Sequence, residues 1–376
     1  MLAVKERFQT RKHTLEQTCQ SKDLPNPKCQ IQTAGFSLKY TKSNDVMYCA
    51  IEKTGSTFWK RILHVIGGWG NTSNPSEIRS KDADSKKGGF KTLEGLDTTE
   101  IESYFKKSTT SIMFVRDPFT RAFSCWVDKF YSTNVAYWSS FGKTIKSYRS
   151  DSSKKNAQCG HDISFAEFID FLVKTISKSA CTDVHFSPNH EHCFQCNFQY
   201  DYIGKYETLR EDTYFLLQTM NLSDTVTFTD FRKDAVYDAT VGLVEWLFTQ
   251  KEPIKKCGVS FQCSLFRSWR QFQGRGILDK HAEFPYSDES VVKALTPQQL
   301  INDLFFAHKR SDKHGLKNNR QEALAQAFQS VPKYLLQKFI DVFKLDFEMF
   351  DYETSPGYLN SKVDESFNFF EPCPYA

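Results

Sequence analysis

No apolar run of eighteen or more residues occurs in the 376-residue chain, so no segment reads as a membrane-spanning helix. The start, MLAVKERFQTRKHTLEQTC, is polar and has no hydrophobic core of a secretory signal. Net charge is only +4, too small to argue for a nucleic-acid partner, and none is expected. No internal repeat is visible. The Walker phosphate loop, with two glycines separated by four residues before Lys and Ser/Thr, is missing too, which makes an ATPase or nucleotide-kinase reading poor.

What is present is a foldable chain: 40% hydrophobic and 15% aromatic residues are enough to bury a full core, in one large domain or two small ones. Eleven cysteines are many for a cytosolic enzyme, and the sequons at Asn71 and Asn221 suit glycosylation in an oxidising lumen. The odd count leaves at least one thiol without an internal partner. Connectivity is not legible from spacing, so Cys193 and Cys196 can pair with each other or with distant cysteines.

Chemistry concentrates in two strand–loop–helix segments. In MYCAIEKTGSTFWKRIL, residues 47–63, the short apolar run from Val46 to Ile51 has the length of a buried strand. The chain then turns at Gly55. Phe58, Trp59, Ile62, Leu63 and Ile66 recur at helical spacing, which predicts a helix from about Ser56. A helix N-terminus offers free N–H groups and a favourable dipole to an anion, and Lys53 adds a full positive charge. In SIMFVRDPFTRAFSCWVDKF, residues 111–130, Ile112 to Val115 predict a second strand ending at Arg116, and Asp117-Pro118 is a natural helix start. Phe119, Phe123, Trp126 and Phe130 form the core stripe of that helix, with Arg121, Ser124 and Asp128 on its polar side. Arg116 and Ser124 are placed to meet at one phosphate. The pair of segments suits a nucleotide with two phosphate groups.

These two segments resemble those of the Golgi carbohydrate sulfotransferases, in the branch containing the HNK-1, GalNAc-4, chondroitin 4-O and dermatan 4-O enzymes. The segment HFSPNHEHCFQCNFQYDYIGKYETLRED, residues 185–212, and YLLQKFIDVFKLDFEMFDYE, residues 334–353, are similar to further blocks of that family, so the likeness covers most of residues 45–228 and 330–353. It implies an α/β, P-loop-like sulfotransferase fold, a central parallel sheet flanked by helices with acceptor-binding insertions. It also implies 3′-phosphoadenosine 5′-phosphosulfate as donor, a glycan or glycosaminoglycan acceptor, and no required metal. Glu52, Lys53, Thr54, Gly55, Ser56, Thr57 and Phe58 would bind the 5′-phosphosulfate, and Arg116, Arg121 and Ser124 the 3′-phosphate. Glu52 and Phe58 depart from the usual family pattern, and an acid beside the donor weakens its binding unless it points away.

By the same resemblance, Lys53 stabilises the leaving oxygen and His185 is the base that accepts the acceptor's proton. Glu52 and His64 are weaker candidates for that base. The run His190, His192, Cys193 and Cys196 also reads as a compact zinc site, against which stand the crowding of its ligands and the structural role the family gives to such cysteines. The acceptor expected is the 4-position of GalNAc in chondroitin or dermatan, with terminal GalNAc and HNK-1-type glucuronic acid as rivals and a catalytically silent glycan- or nucleotide-binding relative as the other class. Family members are type II proteins of the Golgi lumen with an N-terminal anchor, so the start of this chain is expected to be truncated.

Along the chain, residues 1–44 read as a polar stem, 45–353 as the catalytic domain and 354–376 as a tail. Residues 70–110 and 132–162 read as surface loops, and 229–330, with its Lys and Arg clusters, as an acceptor-binding insertion. A capping box of Ser164 and Glu167 predicts a helix, as does Thr208 with Glu211 after a strand at residues 200–204.

Overall fold

Two short parallel strands, β2 (Val46–Cys49) and β4 (Thr110–Val115), lie side by side at the centre of a five-stranded sheet. Strand β1 (Leu38–Thr41) pairs antiparallel with β2, the two-residue β3 (Lys91–Thr92) pairs antiparallel with β1, and β5 (Tyr202–Lys205) is parallel to β4. The order is β3-β1-β2-β4-β5. The computed structural model describes residues 1–21, 28–85, 87–150 and 159–375.

Alternation along the strands divides the core in two. Val46, Tyr48, Ile112 and Phe114 face one side with Trp59, Ile62 and Leu63 of helix α3, which spans Ser56–Ile66. Met47, Cys49, Met113 and Val115 face the other, with Leu15, Leu38 and Met349. Buried on both faces, these strands read as continuous apolar runs, as parallel strands do. Each large side chain so buried contributes about 1.5–3 kcal/mol relative to exposure.

The first of two compact units comprises residues 1–121, 174–238 and 340–354, and the second 122–173, 239–339 and 355–376. The expected boundaries therefore need correction. Residues 1–44 are not a stem: helix α1 (Leu2–Ser21) buries Phe8, Arg11, Leu15 and Thr18 against the first unit, where Arg11 bonds Asp212 at 2.7 Å. Two of those four inward positions are polar, which hid the stripe from a hydrophobicity reading. Helix α2 (Lys28–Ser37) follows. Residues 354–376 are not a free tail either, since Phe369 is fully buried and Cys373 is bonded to Cys263 in the second unit.

Within the supposed loop 70–110 lies helix α4 (Thr98–Lys107), opened by a capping box of Asp97 and Glu100. The expected Ser164–Glu167 box is present at the start of the helix Phe165–Ile176. Thr208 does precede a helix, Leu209–Thr219, but its hydroxyl donates to Asp212 and accepts from Arg11 instead of capping. The stretch 229–330 is mainly helical, including Phe231–Thr249, Phe261–Gly274, Pro297–Arg310 and Lys313–Gln329.

Candidate functional site

Because β2 and β4 are parallel neighbours, their carboxyl ends deliver the Glu52–Ser56 loop and Arg116 to the same edge of the sheet. Gly55 caps α3 with φ 90°, a left-handed conformation that costs a residue with a Cβ. No side chain caps this helix. Its first backbone bond runs from the Trp59 amide to the Gly55 carbonyl at 3.2 Å, so the amides of the first turn have no carbonyl within the helix and can serve an anion. Lys53 also takes a positive φ, 69°, a strained conformation for a non-glycine residue.

Two arginines from the second segment hold this loop in place. Arg116 donates through Nη1 to the Lys53 carbonyl at 3.1 Å and through Nε to Thr120 at 3.0 Å, while its guanidinium lies 4.3 Å from the Tyr206 ring centre. Arg121 donates to the carbonyls of Glu52 (3.0 Å), Val184 (3.3 Å) and Ser187. With only 2% exposure, Arg121 braces these loops through their carbonyls, whereas the resemblance implied a phosphate ligand at this position. Helix α5 (Pro118–Trp126) is N-capped by Asp117, whose carboxylate accepts from the Thr120 amide at 2.8 Å.

Glu52 turns toward α3. Its carboxylate accepts from Ser56 at 2.9 Å and from Lys60 at 3.2 Å, and Lys60 also reaches Asp84 at 2.7 Å. Burial pushes the Glu52 carboxyl up, but the charges of Lys60 and His185 and the hydrogen bonds from Ser56 and Lys60 outweigh it and hold the group at about 2. The acid is thus ionised and neutralised from behind the loop. Thr54 is fully buried and its hydroxyl donates to the Ile51 carbonyl at 2.7 Å, so of this residue the backbone faces the loop. Thr57 is half-buried in the first turn. Phe58 stacks on Phe228 at 5.7 Å and meets Phe231 edge-on at 5.0 Å, an aromatic cluster beside the same turn. Ser124 belongs to the second unit.

Residues 183–196 run along this edge of the sheet and are tied down by three disulfides, Cys29–Cys181, Cys49–Cys193 and Cys19–Cys196. His185 donates from Nδ1 to Asp183 at 2.6 Å, and its own amide donates to the same oxygen at 2.9 Å. His192 is buried between Ser187 (2.8 Å) and Ser37 (3.2 Å), where burial drives it down to about 3 and keeps it neutral. Asp346 accepts from the amides of Asn189 and His190 and from His190 Nδ1, at 2.6, 2.8 and 2.7 Å. Asn189 donates to the Arg116 carbonyl at 3.0 Å, which joins this segment to the end of β4.

The compact zinc reading of His190, His192, Cys193 and Cys196 fails. Both cysteines are oxidised to distant partners, and the two histidines are bonded in separate environments. Among the described residues, no group of His, Cys, Asp and Glu is arranged to hold a metal ion. His64 lies away from the loop: Gly89 donates to its Nδ1 at 2.9 Å, and its Nε2 donates to the Ala83 carbonyl at 3.0 Å. Lys60, Asp84, Asp183, Asn189 and Asp346 were missed as parts of the site. Only Lys60, one helical turn after Ser56, carried a local signal.

Comparison with known proteins gives a consistent picture. The profile of the Sulfotransferase family matches residues 37–241. Carbohydrate sulfotransferase 11 of Danio rerio is 30% identical over 232 residues, covering 60% of this chain and 65% of the relative. Carbohydrate sulfotransferase 9 of Homo sapiens is 33% identical over 190 residues, covering 50% and 41%, and carbohydrate sulfotransferase 8 of Homo sapiens is 27% identical over 228 residues, covering 60% and 52%. The chain thus spans at most 65% of the length of these relatives. No solved structure gives a significant match.

Proposed function

Since the chain belongs to the sulfotransferase family, we propose that it transfers a sulfuryl group from 3′-phosphoadenosine 5′-phosphosulfate to a hydroxyl of a glycan, with the 4-position of GalNAc in chondroitin or dermatan as the acceptor. The observation that carries this reading is the pair of arginine bonds to consecutive loop carbonyls, Arg121 to Glu52 and Arg116 to Lys53, which fixes Lys53 and the open first turn of α3 together. That loop supplies a cation and main-chain donors where a phosphosulfate needs them.

The acceptor oxygen attacks sulfur in line and the bond from sulfur to the bridging phosphate oxygen breaks, leaving adenosine 3′,5′-bisphosphate. Lys53 offsets charge gathering on that oxygen, assisted by the amides of Ser56 and Thr57. Arg116 takes the 3′-phosphate, and the aromatic cluster around Phe58 offers a face to the purine. Positioning and charge stabilisation carry the rate, by analogy with phosphoryl transfer. His185 takes the acceptor's proton, and Asp183 orients its ring by holding Nδ1–H. Oxidised cysteines and the two sequons support residence in the secretory lumen, where the family resemblance puts a Golgi enzyme. Among the described residues no helix is long and apolar enough to cross a membrane.

A silent, binding-only relative is the second reading. It is favoured by one observation, the Ser56 hydroxyl being engaged by Glu52 instead of free for the donor. Transfer of labelled sulfate to desulfated chondroitin, dermatan, GalNAc-terminated and glucuronic-acid-terminated acceptors separates the two. Label on one acceptor, lost in Lys53→Ala, is the expected result. Folded protein that binds adenosine 3′,5′-bisphosphate but labels none of them would overturn the transfer reading.

A further inference from the structure

At the opposite end of the sheet from the Lys53 loop lies a cleft of about 880 Å³. Its walls come from the segment before β2, from β3, from the end of α4 and from the glycines Gly67, Gly88 and Gly89. Strand direction separates it from the site above: the donor loop follows the carboxyl end of β2, whereas Lys42 and Asp45 precede its amino end and Lys107 precedes β4.

The cleft is a built feature. Thr109 donates from its amide to the Asp45 carbonyl and from its hydroxyl to the Asn44 carbonyl, each at 2.9 Å, which locks the segments before β2 and β4 together. On the other wall, His64 accepts the Gly89 amide, and a Cβ at Gly67 would lie 2.1 Å from the Gly89 carbonyl oxygen. Only glycine permits that approach.

Its chemistry is that of an acidic sugar site. Two ammonium groups lie near the Tyr104 ring, Lys91 at 5.1 Å and Lys107 at 5.7 Å from its centre, and the Tyr104 hydroxyl accepts from Lys91 at 2.8 Å. Tyr40 packs edge-on to Tyr104 at 5.0 Å. Lys42 and Lys107 are exposed and form no ion pair among the described residues. Tyrosine rings stack on the C–H faces of sugars, the lysines attract carboxylate, and Asp45 and Glu94 on the same lining accept from hydroxyls. The volume suits an oligosaccharide.

We infer that this cleft is a second carbohydrate site, holding a uronate-bearing stretch of the acceptor polymer away from the point of transfer. The inference rests on the glycan-acceptor reading above. It is tested on the full chain with adenosine 3′,5′-bisphosphate bound, by calorimetric titration of an unsulfated chondroitin oligosaccharide into the wild type and into Lys42→Glu/Lys107→Glu. Both lysines are exposed, so the fold is expected to survive. The double variant should bind about tenfold more weakly, as expected for losing one or two charge-assisted contacts. Its KM for the polymer should rise while kcat on a disaccharide acceptor stays unchanged. Equal binding by wild type and variant, no binding by either, or equal binding of carboxyl-reduced polymer would overturn the second site. Lysine-dependent binding without sulfate transfer would support the cleft and overturn the transfer reading alone.

Discussion

Lys60, at 2% exposure, lies 3.2 Å from the carboxylate of Glu52, so the acid next to the loop lysine is neutralised from the helix behind it. Removing Lys60 leaves the Glu52 carboxylate with the Ser56 hydroxyl as its remaining hydrogen-bond donor and no lysine to balance its charge. Lys60→Met should therefore destabilise the protein by roughly 3–5 kcal/mol, and Glu52→Gln/Lys60→Met by much less than the sum of its two single changes. Chemical denaturation of the four proteins checks this.

The same carboxylate sets a pH dependence in acid. Its folded value, about 2, lies below its ordinary 4.5, so the unfolded state binds the proton first as pH falls. Glu52 therefore stabilises the fold above about pH 4.5, and this contribution disappears between there and pH 2. His192 acts over a higher window, since burial lowers it from 6.5 to about 3. Stability should fall as pH drops below 6.5, with a slope of at most about 1.4 kcal/mol per pH unit from this group. His192→Gln should remove that part of the slope in melting curves taken from pH 7 to about pH 4.

Arg121 is predicted to act through the loop it braces. Arg121→Lys keeps the charge but loses the planar fork that reaches three carbonyls, and should weaken adenosine 3′,5′-bisphosphate binding about tenfold or more. Equilibrium titration measures it. Unchanged affinity in the folded variant would remove the brace from the binding argument.

Asp183 gives a separable test of the proposed base. Asp183→Asn should lower kcat more than it raises KM, because His185 loses the carboxylate that orients its ring through Nδ1–H. An unchanged kcat in the folded variant would sink the pairing as a catalytic device.

Cys49 and Cys193 tie β2 to the segment carrying His185 across a sequence separation of 144 residues. Replacing both with alanine should cost about 2–5 kcal/mol and expose residues 183–196 to limited proteolysis. The exposed Asn71 and Asn221 should both carry glycans when the chain is made in a secretory host, seen as two mass decrements on enzymatic deglycosylation.

The sequence by itself determined what is local. Strands β2 and β4 are short apolar runs, Gly55 marks the left-handed turn, Asp117-Pro118 opens a helix and Ser164 with Glu167 caps another, all of them set by residues within a few positions of one another. That Lys53 and Arg116 come close was legible for the same reason, each following a strand of the sheet. Tertiary structure alone decided the rest. Whether Glu52 opposes or spares an anion depends on Lys60 and Asp84 folding against it, and whether Arg121 binds or braces depends on carbonyls 63 to 69 residues away in sequence. The cysteine pairings, the docking of α1 and the lysine-lined cleft are likewise contacts between residues far apart in the chain. Burial and charge are properties of the surroundings, and those surroundings exist only once distant segments have packed together.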